Sequence, residues 1–128
     1  MTRKENVAAL RASTEVHYNC AQSVVLPFAE DMGMSREQAF ALFQHFGGGM
    51  GCGSACGALI GALAVMGGLG LPPEKKEELT RRFREEKGWL DCAPLVKAAL
   101  ERGEERKPHC DGLVRWCVEY VCQETGLE

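Results

Sequence analysis

Seven cysteines stand out in this chain of 128 residues: Cys20, Cys52, Cys56, Cys92, Cys110, Cys117 and Cys122. A thiolate is both a nucleophile and a ligand for soft metals. Cysteines therefore point to thiol redox chemistry, to a metal or cluster site, or to plain packing, since free cysteine is among the most buried residue types. The count is odd, so at least one thiol is left over if the others pair within the chain. The closest pairs are Cys52/Cys56 and Cys117/Cys122, four and five residues apart. There is no Cys-x-x-Cys pair, so neither a thioredoxin motif nor a zinc ribbon fits.

The stretch from Phe46 to Leu71 reads FGGGMGCGSACGALIGALAVMGGLGL and carries no charge. Ser54 is a good N-cap, which predicts a helix from there to about Met66, with Cys56 in its first turn. Free amide N–H groups and the positive end of the helix dipole favour an anion at that place. Cys56 is accordingly expected to be the most acidic thiol. Gly53, Gly57 and Gly61 recur every four residues and should form one bare face against which another helix packs. A transmembrane reading of the same stretch fails on length, because a helix of about 13 residues cannot span a bilayer.

The remaining elements follow from caps and breakers. One helix is expected from about Arg3 to Phe28, carrying Cys20 in its interior and ended by Pro27. Ser35 and Gln38 form a capping box for a second, whose Phe40, Phe43 and Phe46 make an apolar stripe. His45, just beyond, is expected in solvent rather than as a base for Cys56. After the glycine-rich helix, Pro72 and Pro73 start a charged surface helix that touches the core through Leu79 and Phe83 and ends at Gly88. Asp91 caps a fifth helix from about Cys92, and Pro108 opens a sixth with Cys110 in its first turn. The expected fold is all-α: one domain spanning residues 1–128, a bundle of about six helices around the glycine-rich one. Cys56, Cys92 and Cys110 would each begin a helix, where thiolates are stabilised.

Charged residues make up 26% of the chain, hydrophobic residues 45%, and the net charge is −3 with mixed signs throughout. That composition argues against nucleic-acid binding and against membrane insertion. The opening MTRKENVAALRASTEV alternates charged and apolar groups without the apolar core of a secretion signal, so the cytoplasm is the expected location. Structural disulfides are rare in that compartment, which again turns the cysteines toward redox or metal chemistry.

Cys56-Gly57-Ala58-Leu59-Ile60-Gly61 matches the core of a larger pattern. Asn19-Cys20-Ala21-Gln22-Ser23-Val24 precedes it, Phe46-Gly47-Gly48-Gly49-Met50-Gly51 leads into it, and Cys92 and Cys110 follow at suitable spacing. Over nearly its whole length the chain resembles the four-cysteine family of small helical proteins written C-GCAxxG-C-C. The resemblance implies a redox or electron-transfer association and supplies no defined reaction. Cys52, Cys117 and Cys122 lie outside that pattern.

Two chemistries and one bland reading stay open. In the first, Cys56 is the attacking thiolate and Cys20, Cys92 or Cys110 resolves. In the second, Cys20, Cys56, Cys92 and Cys110 ligate zinc or an iron–sulfur cluster. In the third, a helical interaction protein carries inert thiols. Gly49, Gly51 and Gly57 are the positions where a bound group would come close to the backbone. A redox partner protein is expected, and a homodimer is open. Both chemistries require Cys20, Cys56, Cys92 and Cys110 to converge.

Overall fold

The computed structural model describes residues 1–128 and contains seven α-helices: α1 Arg3–Ala12, α2 Cys20–Val25, α3 Arg36–Leu42, α4 Gly57–Gly68, α5 Lys75–Lys87, α6 Cys92–Glu101 and α7 Arg106–Thr125. There are no strands, so the fold is all-α. No helix is long and apolar enough to cross a membrane.

The count exceeds six because residues 3–28 do not form one helix. Ser13 leaves α1 with extended backbone angles, and Asn19 starts α2 afresh. Asn19 accepts from the Gln22 amide while Gln22 accepts from the Asn19 amide, a complete capping box. Cys20 is therefore the first residue of α2 rather than an interior position. Two short 3₁₀ turns, Leu26–Phe28 with Pro27 and Glu30–Met32, carry the chain to Gly33. The Ser35/Gln38 capping box forms as expected, although α3 ends at Leu42 and leaves Phe46 beyond it.

α4 sits at the centre, packed on α2 and α7. Its bare face is real for two of the three glycines. A Cβ on Gly57 would lie 3.0 Å from the Phe46 carbonyl oxygen and 3.3 Å from Cys20 Cβ. One on Gly61 would lie 3.0 Å from both the Ala21 oxygen and Val24 Cβ. Gly53 is not on that helix; it precedes α4 at φ +73° and faces Ala93. Buried residues from α1, α2, α4, α5, α6 and α7 form one continuous core that includes Leu79, Phe83, Leu95, Val114 and Val118.

Two hydrogen bonds stitch the start of α4 to the start of α6. The Cys56 amide donates to the Leu90 oxygen at 2.9 Å, and the Cys92 amide to the Ser54 oxygen at 2.6 Å, flanking a single bridge between Ala55 and Asp91. These bonds set Cys56 and Cys92 side by side.

Candidate thiol site

All seven cysteines are free thiols. Cys56 is the N-cap of α4 and not a first-turn residue, because the helix begins at Gly57. Cys92 is the first residue of α6, as expected. Cys110 lies in the second turn of α7, since that helix begins at Arg106, ahead of Pro108. The three cysteines at helix starts are therefore Cys20, Cys56 and Cys92.

The tertiary structure groups Cys20, Cys56, Cys92 and Cys110. Cys20 feels Cys110 and Cys56, Cys56 feels Cys92 and Cys110, and Cys92 feels Cys110. Within this group Cys20 and Cys110 interact most directly. The interaction with Cys20 holds the Cys110 thiol down to about 6, with the Arg106 and Arg11 guanidinium groups acting in the same direction against burial. The proton stays with Cys20, whose ionisation is pushed far up by that same interaction and by burial.

Cys56 behaves in the opposite way to the sequence expectation. Burial pushes its thiol up to about 11. The amides of Leu59 and Ala58 do point at it, as a helix N-terminus should provide, yet they only partly offset the loss of water. A residue 4% exposed loses more hydration than two N–H dipoles return. Burial also pushes up Cys92, Cys117 and Cys122. Cys117 is fully buried on α7 and next to Cys56, at the edge of the group. Cys122 lies farther along α7 in the core, and Cys52 is exposed, its Sγ 3.4 Å from the Gly49 oxygen.

Neither Arg11 nor Arg106 was singled out as a site residue from the sequence. Arg106 precedes Cys110 by one helical turn, a spacing that could have signalled it. Arg11 carries no such signal. Its guanidinium reaches Asp111 on α7 at 2.7 Å, the Tyr18 oxygen at 2.9 Å and the Ser23 hydroxyl of α2 at 3.3 Å. It thus ties α1 and the loop before α2 to the two helices that carry Cys20 and Cys110. We expect Arg11→Ala to lose about 1–3 kcal/mol, because the Tyr18 carbonyl loses its 2.9 Å donor and Asp111 is left with Lys107 alone. Urea unfolding checks this, and an unchanged midpoint would show that the network contributes nothing.

The glycines ahead of α4 have structural partners. Gly49 at φ +62° is buried, and a Cβ there would lie 2.5 Å from the Ser54 backbone and 2.9 Å from Cys92 Cβ. Gly57 faces Cys20, while Gly51 at φ +73° opens to free space. His45 is exposed. No three His, Cys, Asp or Glu side chains are placed to hold one metal ion. In this arrangement Cys20, Cys56, Cys92 and Cys110 do not form a ligand set for a single metal ion.

Cys20 and Cys110 open onto a pocket of about 400 Å³, bordered by Arg11, Tyr18, Arg106 and Lys107. The family model described as "Putative redox-active protein (C_GCAxxG_C_C)" matches residues 18–124. The chain belongs to this family. The match begins just before Cys20 and ends beyond Cys122, so it takes in all seven cysteines and Arg106, while Arg11 on the other side of the pocket lies ahead of it. The family is described as redox-active, which agrees with a cysteine-rich helical protein. Comparison with curated proteins and with solved structures found no match.

Proposed function

We propose that the protein is a thiol–disulfide exchange protein whose working pair is Cys20 and Cys110. The observation that carries this reading is that Cys20 and Cys110 interact and line one open pocket together with Arg11 and Arg106. Cys110 is held down to about 6 while Cys20 retains its proton. An attacking thiol works best with an ionisation near ambient pH, and a resolving thiol needs only proximity.

The exchange runs in two displacements. Cys110 thiolate attacks one sulfur of a partner disulfide; the partner S–S bond breaks, a mixed disulfide forms and one partner thiolate leaves. Cys20 then gives up its proton and attacks Cys110 Sγ. The mixed disulfide breaks, the Cys20–Cys110 bond forms, and the second partner thiolate departs. The pair has lost two electrons and the partner has gained them. Cys56 and Cys92, kept protonated by burial, do not line the pocket and take no part in this exchange.

Mild oxidation of the reduced protein by a disulfide should yield a Cys20–Cys110 cross-link in peptide mass spectrometry. Cys20→Ser should trap Cys110 as the mixed disulfide, and Cys110→Ser should abolish the cross-link. Oxidation that joins other cysteines and leaves Cys20 and Cys110 free would overturn the assignment.

A further inference from the structure

The pocket in front of the thiol pair has a one-sided charge. Arg11, Arg106 and Lys107 all border it and no Asp or Glu does. Arg11 and Lys107 share Asp111 outside the pocket, at 2.7 Å and 3.1 Å. Arg106 forms no ion pair with any carboxylate. It stands beside Cys110, whose negative charge it favours. Once Cys110 enters a mixed disulfide that charge disappears, and Arg106 is left facing the pocket without a counter-ion.

We infer that the co-substrate of this site is a small disulfide bearing anionic groups close to its sulfurs, bound through Arg106 with support from Arg11 and Lys107. This rests on the thiol-exchange reading above and adds the class of partner. The volume of about 400 Å³ lies within the range of small-molecule sites and admits one compact ligand. Tyr18 and Leu10 supply apolar wall beside the sulfurs. The substrate's anionic groups lie against the guanidinium while Cys110 attacks the nearer sulfur. The leaving thiolate departs past the same cation, and Cys20 closes the protein disulfide. Two thiols are released for each disulfide consumed: the protein pair supplies both electrons and the Cys20 proton, and the second proton comes from water, because Cys110 attacks as the thiolate.

Three disulfide probes of different charge test the assignment: dithiodiglycolate, a dianion; hydroxyethyl disulfide, neutral; and cystamine, a dication. The rate of Cys20–Cys110 formation is measured for each and divided by the rate with free mercaptoethanol, which removes intrinsic reactivity. The normalised rate should favour the dianion over the dication by about tenfold or more at low salt, since clustered charge raises local ligand concentration by at least that factor. The preference should collapse toward one in Arg106→Gln and at high salt. Arg106 is exposed at the start of α7, so its replacement leaves the core intact, which an unchanged melting temperature confirms. Any general change in Cys110 reactivity cancels in the ratio. Equal normalised rates across the probes, or a preference untouched by Arg106→Gln, would overturn the anionic partner while leaving thiol exchange standing. Failure of every probe to form the Cys20–Cys110 bond would overturn both.

Discussion

At pH 7 iodoacetamide is expected to alkylate Cys110 of the reduced protein about fifty times faster than Cys56. The two thiols lie near 6 and near 11 respectively. Cys110 is then mostly thiolate, and Cys56 is ionised in roughly one molecule in ten thousand. Intrinsic nucleophilicity runs the other way, falling by about a hundredfold or slightly more across five pH units of basicity, so the ionised fraction wins with about fiftyfold to spare. Burial of Cys56 at 4% exposure widens the gap. The direction with pH follows from the sign of the shift. A thiol held below its ordinary value gains its charge early, so labelling at Cys110 should climb through pH 6 and level off near neutrality. Cys56 labelling should still be rising above pH 9. Removing the donor in Cys20→Ala should move the Cys110 midpoint upward. Peptide-resolved labelling across pH reads all three. A Cys110 midpoint above 8, or a Cys56 rate equal to that of Cys110, would remove the basis for the proposed pair.

The second large effect lies at the contact of α4 with α2. Gly61→Leu is expected to destabilise the protein by about 1–3 kcal/mol or somewhat more, because close-packed interiors do not accept added methylenes. For a chain of this size each kcal/mol lowers the melting temperature by roughly 3–5 °C. The reason is specific. The first added atom would already lie 3.0 Å from the Ala21 carbonyl oxygen and from Val24 Cβ, neither of which is a flexible side-chain end. Gly67 on the same helix is exposed, and a Cβ added there would meet nothing within 4 Å, so Gly67→Ala serves as the control. It should hold stability or raise it by up to about 1 kcal/mol through helix propensity. A melting temperature for Gly61→Leu equal to that of Gly67→Ala would show that α2 does not press on this face.

Gly57 links the two results. It faces Cys20 Cβ, so the glycine that lets α4 approach α2 also sets where the resolving thiol stands. In the proposed exchange, the helix that carries the Cys-Gly-Ala-x-x-Gly motif would support the pair rather than hold its reactive member.

Much of the fold was legible because helix limits are local chemistry. The Ser35/Gln38 capping box, the prolines before α5, Gly88 after it, and Asp91 before α6 all act within one turn of the chain. The same logic could have divided residues 3–28, since Asn19 and Gln22 form a capping box of the same kind; apolar spacing across Val7, Val16 and Val24 hid it, and Val16 is exposed. The bare face at Gly57 and Gly61 followed from spacing alone.

The order of acidity among the thiols could not follow from spacing. A helix N-terminus near Cys56 was readable, and its amides do point at that sulfur. What decides ionisation is the difference between those dipoles and the water that is lost, and water loss depends on which distant helices close over the residue. Arg11 comes from α1 and Arg106 from α7, yet both act on Cys110, and Cys20 arrives from α2. That the protein is helical, rich in thiols and tightly packed at α4 could be read along the chain, because those properties depend on neighbours a few residues apart. Which thiol ionises, which thiol faces it and what charge surrounds them was decided only by the tertiary structure, because burial and long-range charge are properties of the assembled core.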